Sequence, residues 1–368
     1  MSEKILTLKR EIETLDELHY YLHIAMELEL STIPPYMCGI YSIKPGFNQA
    51  AIDVMHSVVI EEMFHLTMAG NILKATCGTA KLADPLFVPK YPTALPKSNI
   101  TIDGEPFTVP LQKFSPYAVQ HTFMGIETPE SPEDKCDPRV IGYHGIGQFY
   151  DGLSRGIDNL CDILGTEKVF AGRVEQQIRP EDYYGGSGHF VVVADPDPEQ
   201  ARRNAHRAIE EIVEQGEGIE ADGKDQVFDG DLILGRGHTE DPVPAHYFRF
   251  DEVNQGRYYV PGDKPLKPTG AALPVDWDAV YNMAENPRMS DYPDGSQIHG
   301  ALLEFNRAYM ALLHRLDRAF NEDAGHMQKA VGAMYDLKYR AIDLMKIPSG
   351  REDGTTVGPS FEYVSLDG

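Results

Sequence analysis

One segment limits what this chain can fold into, because it combines a long helical pattern with a carboxylate on the apolar face. Residues 48–76 contain no proline and read as a single helix. At about 100° per residue, its apolar residues fall on one stripe: Met55, Val59, Leu66, Ala69 and Leu73. Glu62 lies in the middle of that stripe, and His65 lies one turn further, at its edge. A carboxylate that faces a core is costly unless its charge is compensated.

Two arrangements would compensate the charge of Glu62. A metal cation would do so, because a Glu-x-x-His pair that projects inward is typical of carboxylate-bridged dinuclear iron sites in helix bundles. A salt bridge or a hydrogen bond within the core would also do so. The pair on its own leaves both interpretations open.

The helix predicted over residues 14–41 carries a second inward carboxylate. Thr14 and Glu17 have the spacing of a capping box at its start. Its apolar residues lie within about 60° of the direction of Glu29: Leu15, Leu18, Leu22, Ala25, Met26, Ile33 and Tyr36. Glu27 points nearly the opposite way, so we expect Glu29 to be the buried one. The consecutive residues Pro34 and Pro35 predict a kink a turn later.

Two later segments supply further candidates. Residues 198–218 read as a helix, and Glu217 lies nearest its apolar stripe, with Glu210 and Glu214 as alternatives. Residues 246–253 fit a strand or a short helix equally well, and both place His246 beside apolar residues. We therefore predict Glu217 and His246 as further inward ligands.

A pair of histidines flanks the stripe of the first helix. His19 and His23 are four residues apart, a spacing that can hold a metal. With no third ligand nearby, we interpret them as histidines of the core edge or of a substrate pocket. Together with Tyr20, Tyr36 and His121, they are the candidates for proton transfer.

The rest of the chain is organised around these helices. Residues 79–197 contain many prolines and aromatic residues, so we predict a partly β cover, with a helix in 142–164 and a strand at 189–194. Residues 296–320 and 324–347 predict a helical hairpin that serves as scaffold. The predicted units are a metal-binding domain (1–253), the region of the hairpin packed on it (254–348) and a polar, loosely ordered tail (349–368).

Charge and composition exclude several classes of function. The net charge of −24 argues against a nucleic acid or an anionic membrane as the main partner. The 4 cysteines are scattered, so they predict free thiols and neither a zinc site nor a disulfide framework. No signal-peptide pattern or membrane-length apolar run is present, and we expect a cytoplasmic protein.

The predicted inward residues have the chemistry of a metal site. They are Glu29, Glu62, His65, Glu217 and His246. Carboxylates and imidazoles without thiolates suit iron or manganese, with zinc as a third option. Because the chain has one clean Glu-x-x-His pair, the site would be asymmetric or would hold a single ion.

Several motifs, in order, resemble the ferritin-like domain of the iminophenyl-pyruvate dimer synthase family, which couples indole-pyruvate imines on the way to violacein and the indolocarbazoles. They are ELELSTIPPY (27–36), EEMFHL (61–66), VPKYP (88–92), FMGIETP (123–129), GQFY (147–150), QGEG (215–218) and HYFRF (246–250). The pathway synthases are much longer than this chain.

This resemblance implies a mainly α, ferritin-like four-helix bundle with a long insertion and a C-terminal helical hairpin. The bundle would consist of helices 14–41, 48–76 and 198–218 and a short helix at His246. Glu29, Glu62, His65, Glu217 and His246 would hold one or two iron ions, with Tyr36 nearby. We then expect O₂-dependent oxidation or oxidative coupling of a small, aromatic amino-acid-derived substrate. The alternative is a metal-storage or structural protein, and a homo-oligomer is left open.

Overall fold

The computed structural model describes residues 12–96, 101–102, 105–129, 145–183, 191–217, 220–221, 224–225, 227–228 and 243–366. In chain order, its helices are α1 Leu15–Ser42, α2 Gln49–Ala75, α3 Met124–Ile126, α4 Ile146–Leu164, α5 Thr166–Val169, α6 Pro198–Glu217, α7 His246–Gln255, α8 Gln297–Asn321 and α9 His326–Leu344. A π-helical turn, Ala118–Phe123, leads into α3. The chain is mainly helical, as predicted.

The start of α1 confirms the predicted capping box. The Thr14 hydroxyl accepts from the backbone N–H of Glu17, and the Glu17 carboxylate accepts from the N–H of Thr14, both at 3.2 Å. The helix continues through Pro34 and Pro35. Pro35 has no N–H for the carbonyl of Ser31, and the Tyr91 hydroxyl donates to that carbonyl at 2.8 Å instead.

The end of α2 is formed by two consecutive residues with different roles, Cys77 and Gly78. Cys77 has the left-handed conformation, with φ of 65°, and the N–H of Gly78 donates to the carbonyl of Leu73 at 2.7 Å. A Cβ on Gly78 would lie 2.2 Å from the Cδ1 atom of Leu73. Gly78 is therefore required by this close approach, and Cys77 makes the turn.

The bundle is formed by α1, α2, α6 and α4. The first two helices pack along their whole length, α6 packs on α2, and α4 closes the bundle against α1 and α6. The resemblance implied a different fourth member, the short helix at His246. That segment is helical, but it is the ten-residue α7, which packs across α2 and the π-helical turn.

The insertion has little β structure in its described part. Thr101–Ile102 (β1) pairs with Glu105–Pro106 (β2) in an antiparallel hairpin, and outside the insertion Glu220–Ala221 (β3) pairs with Lys224–Asp225 (β4). The strand predicted at 189–194 is wrong for residues 191–194, and residues 189–190 lie outside the described part. The N–H groups of Val193 and Ala194 donate instead to the side chain of Gln177.

The C-terminal hairpin of α8 and α9 packs on α2 and α1. Gly70 of α2 allows this contact, because a Cβ there would lie 2.3 Å from the ring of Phe320. The expectation of a loosely ordered tail is wrong for residues 349–366. Phe361 is buried, and the centroid of its ring lies 5.0 Å from that of Phe305 and 5.1 Å from that of Tyr309.

No helix in the described part of the chain has both the length and the apolar content that a bilayer crossing needs.

Candidate metal centre

Helices α1 and α2 bring three predicted residues together inside the bundle. Glu29, Glu62 and His65 are each at most 3% exposed. The Nδ1 atom of His65 lies 3.6 Å from a carboxylate oxygen of Glu29 and 3.9 Å from one of Glu62. The helical spacing predicted from the sequence therefore does turn these side chains towards one point.

A second group completes the cluster from the other side. His246, the first residue of α7, is fully buried, and Glu127 directly follows α3. The Nδ1 atom of His246 lies 2.9 Å from Glu62 Oε1 and 3.5 Å from Glu127 Oε2. Glu127 is the ligand candidate that our sequence reasoning missed.

The two groups share Glu62. Glu29, Glu62 and His65 form one set, and Glu62, Glu127 and His246 form the other, with ligand atoms within 4.8 Å of one another in each set. Two ligand atoms that lie on opposite sides of one ion, each about 2.1 Å from it, are about 4 Å apart. The arrangement therefore has room for two ions, with the carboxylate of Glu62 between them.

Each histidine is oriented by a partner on its outer nitrogen. His246 Nε2 lies 2.8 Å from Glu61 Oε2, and the fully buried Arg249 contacts the same oxygen at 2.7 Å. His65 Nε2 lies 2.8 Å from the amide oxygen of Gln215. In both cases the inner nitrogen, Nδ1, faces the carboxylates, which is how metal-bound histidines are usually held.

Hydrogen bonds from hydroxyl groups hold the carboxylates of the cluster in place. The Tyr36 hydroxyl donates to Glu127, and the Tyr150 hydroxyl donates to Glu29. The Thr32 hydroxyl donates to Glu62 Oε2 at 2.9 Å. Burial, followed by the charge of Glu127, raises the pKa of Tyr36 well above its usual value, so this hydroxyl remains a donor.

The electrostatic environment of the cluster favours the binding of a cation. In the metal-free protein, burial and the neighbouring Glu127 carboxylate raise the pKa of Glu62 to about 8. Burial would also raise the pKa of Glu61, but Arg249 and His246 lower it below its ordinary value. Glu61 is thus already neutralised, whereas the carboxylates of Glu29, Glu62 and Glu127 face one cavity together.

His246 provides a direct test of whether a cation fits. Its Nδ1 atom is buried without a hydrogen bond of acceptable geometry, although Glu62 Oε1 is 2.9 Å away. When Nε2–H donates to Glu61, Nδ1 presents a lone pair towards the oxygens of Glu62 and Glu127. Lone pairs that face each other require a proton or a cation between them, so the residues present fit a metal ion.

The third predicted carboxylate is not the one found in the cluster. Glu217 ends α6, but its side chain lies outside the described part of the structure. The alternatives Glu210 and Glu214 are exposed. Among the residues described, the third carboxylate is supplied by Glu127, and α6 contributes Gln215.

Of the proton-transfer candidates, Tyr36 alone reaches this cluster. His19 Nε2 pairs with the carbonyl of Thr76 at 2.9 Å, and His23 Nε2 pairs with that of Thr79 at 2.9 Å. Both histidines are half-buried at the edge of the core, where they hold the chain that leaves α2, and neither reaches the ligand cluster. Tyr20 and His121 are exposed, and His121 packs its ring on Tyr117.

A small cavity of about 20 Å³ adjoins the ligands, and residues from α2, α3, α4 and α6 line it. Its apolar walls are formed by Ile126, Ile146, Ile212 and Val213. Ile146 and Val213 are partly exposed, and Thr128, which also lines the cavity, is exposed, so the cavity comes close to solvent where α4 and α6 adjoin Thr128. Such walls would limit the access of water to a bound ion.

Comparison with known proteins agrees with this geometry. The model of the ferritin-like family matches residues 22–255, which contain both ligand groups. The chain belongs to the ferritin-like family. A solved structure of a ferritin-like protein from Caulobacter vibrioides is similar over 95% of this chain and 100% of that chain, with a TM-score of 0.60 and 22% identity.

At that identity, the structural likeness establishes the shared ferritin-like fold alone. A search of curated proteins finds no match. Ferritin-like proteins commonly hold metal between their helices, and the Glu and His clusters of this chain are able to do so.

Proposed function

We propose that this ferritin-like protein is an oxidoreductase that holds two iron ions at Glu29, Glu62, His65, Glu127 and His246. The observation that carries the proposal is the sharing of Glu62 by two three-residue ligand groups. Three carboxylates and two imidazoles suit iron, with manganese next and zinc third. Glu62 would bridge the ions, while Glu29 with His65 and Glu127 with His246 would each hold one.

When bound, a reduced pair of ions supplies the electrons that activate O₂ or peroxide for the oxidation of a second molecule. The protein side chains position this chemistry. Tyr36 and Tyr150 hold the outer carboxylates through their hydroxyls. The apolar walls formed by Ile126 and Ile146 limit water, which favours controlled oxidation of a substrate over uncoupled reduction of the oxidant.

A substrate would approach on the side of the small cavity, beside α4 and α6, and the cavity would have to widen to admit it. We propose a small substrate derived from an aromatic amino acid, such as the imine of an aryl pyruvate, undergoing oxidation or oxidative coupling. The motif resemblance to the iminophenyl-pyruvate dimer synthases supports this class. The same resemblance supports a role in secondary metabolism.

Glu127 favours catalysis over storage. This carboxylate comes from the insertion at 79–197 and directly follows the short α3, outside the four helices of the bundle. The insertion therefore helps to build the cluster and does not simply cover it. Storage requires many ions per chain, whereas this arrangement defines two positions enclosed by protein.

The metal content of purified variants tests the site. We expect about two iron ions per chain in the wild type and loss of both from Glu62→Gln, because that residue belongs to both groups. His65→Ala should empty mainly one position. Glu252→Gln is a matched control, since Glu252 is also a buried glutamate but accepts from the N–H of Tyr259. A metal-free wild type, or a fully loaded Glu62→Gln variant, would contradict the assignment.

Oxygen consumption separates an enzyme from a storage protein. The ferrous protein is mixed with O₂ in a stopped-flow instrument, with and without imines generated from phenylalanine or tryptophan by an amino-acid oxidase. An enzyme should consume O₂ faster when its substrate is present and should form an oxidised product. Uptake of many irons per chain, with no effect of any imine, would favour storage.

A further inference from the structure

A second cavity lies on the other side of α1 and α2, where the C-terminal hairpin packs on the bundle. It has a volume of about 50 Å³ and is lined by residues of α1, α2, α8 and α9. Its walls include Leu30, Ile33, Met63 and Leu66 from the first two helices. Among the described residues, it shares no lining residue with the cavity at the ligands.

The surface of this cavity is apolar throughout. The polar atoms of its lining residues do not face it: the hydroxyls of Thr67 and Tyr183 are hydrogen-bonded to each other, and the hydroxyl of Tyr309, which has no hydrogen bond among the described residues, is buried away from the cavity surface. A cavity of this size could contain water only if polar partners were present, and apolar cavities in proteins stay dry. Any ligand that it binds must therefore be apolar.

The volume limits the size of that ligand. An engineered apolar cavity of about 150 Å³ holds benzene or xenon, and this one is about 50 Å³. Aromatic rings and acyl chains are thus too large for the cavity without rearrangement of α8 and α9. A diatomic gas fits, and molecular oxygen is the apolar gas that the proposed reaction consumes.

The position of the cavity relates it to the metal centre. Leu30 directly follows Glu29 in α1, while Met63 directly follows Glu62 and Leu66 directly follows His65 in α2. The cavity therefore lies along the same helical turns as the ligands, on a neighbouring face. Rotamer changes of the side chains between α1 and α2 would connect the two spaces.

On the other side, the cavity comes close to solvent. Leu316 of α8 and Val331 and Met334 of α9 line it and are partly exposed. Gas could thus enter between the helices of the hairpin, while the substrate approaches between α4 and α6. We propose that this apolar cavity binds dioxygen and supplies it to the metal centre. This role rests on the proposed function, but the binding of gas does not.

Xenon is the probe for the cavity itself. Crystals of the metal-free and metal-loaded protein are pressurised with xenon, and we expect one xenon site between α1, α2, α8 and α9. Ala330→Leu adds side-chain volume to the lining and should remove that site. Ala333→Leu, on the same helix but outside the lining, should keep it. If Ala330→Leu does not fold, Val331→Met fills the cavity from its partly exposed side.

The second measurement is the rate at which the ferrous protein is oxidised, as a function of O₂ concentration. Filling the cavity should lower the second-order rate constant several-fold, with unchanged iron content and an unchanged rate at saturating O₂. Absence of xenon from the cavity would overturn the proposal. So would a filled variant whose rate constant equals that of Ala333→Leu. A protein that binds xenon but holds no redox metal would refute the proposed function and, with it, the oxygen-supplying role, while leaving gas binding established.

Discussion

The two metal positions should have unequal affinities, because their histidines have different partners. His246 is backed by the carboxylate of Glu61, which also pairs with Arg249. His65 is backed by the neutral amide of Gln215. A carboxylate partner makes a ligating imidazole more basic than an amide does. We therefore expect the position at His246 to fill first in a metal titration.

Glu61→Gln tests this difference. The Glu61 oxygen that lies 2.8 Å from His246 also lies 2.7 Å from Arg249, and an amide offers one acceptor oxygen without the charge. Loss of such a partner typically costs 10–100-fold in metal affinity, or about 1.4–2.7 kcal/mol. This loss of metal affinity should be confined to the position at His246. The affinities of the two positions should therefore become more alike, and the titration of the variant should approach two equal steps.

The assay is a titration with Co²⁺, whose absorption reports on the ligands of each position, combined with metal analysis. Gln215→Leu is the counterpart at His65 and should weaken the other position by a smaller factor. Because Glu61→Gln breaks the buried ion pair with Arg249, we also expect about 3–5 kcal/mol less stability of the metal-free protein. Equal weakening of both positions by Glu61→Gln, or of neither, would refute the reasoning.

Three further predictions concern the same structure. Tyr36→Phe and Tyr150→Phe each remove a hydrogen bond to a buried carboxylate, and each should cost about 1.5–3 kcal/mol in denaturant unfolding of the metal-free protein; an unchanged midpoint in both would show that these bonds contribute nothing. Burial raises the pKa of Glu62 from 4.5 to about 8. The stability that this group gives the metal-free protein is therefore fully present below pH 4.5 and should be lost as the pH rises through 8. Metal affinity should instead fall about tenfold for each pH unit below 8, because the ion must displace the proton of Glu62. Equilibrium unfolding and Co²⁺ titration between pH 5 and 9 measure the two trends, and a flat profile would contradict them. Gly70→Ala should destabilise the contact with Phe320 by about 1–3 kcal/mol through overpacking, and a thermal scan with no loss would show that the hairpin shifts freely.

The long helices and the part of the cluster that they carry could be predicted because their signals are local. Thr14 and Glu17 mark the start of α1 through a capping box. The 3.6-residue period then places Glu29, Glu62 and His65 on inward faces, whatever the rest of the chain does. Two such helices joined by a short loop pack together, which brings these three side chains into one cavity.

Glu127 could not be found in the same way. It follows a π-helical turn and a three-residue helix, and neither is long enough to show a period. One signal was nevertheless present, since Glu127 lies in the FMGIETP motif beside the buried residues Phe123, Met124 and Ile126. An acidic residue within such an apolar stretch has the same anomaly that identified Glu62.

The choice of Glu217 on α6 depended on extrapolating a period to the end of a helix. The buried face of α6 includes Ala205, Ile209 and Ile212 and continues to Gln215. Because Gln215 is neutral, it did not stand out as a candidate in a search for carboxylates. Its role depends on the position of His65, a residue 150 positions away in the chain, and no local pattern contains that information.

The C-terminal hairpin also has a larger role than its sequence indicated. Its apolar seam predicted a scaffold, and the docking of Phe320 against Gly70 agrees with that prediction. Yet α8 and α9 also enclose an apolar cavity against the faces of α1 and α2 that adjoin the ligands. A bundle without the hairpin would expose Leu30, Ile33 and Leu66 to water. In the proposed function, the hairpin would give the candidate metal centre an apolar side away from α4 and α6, and an apolar oxidant and a substrate would reach it by separate routes.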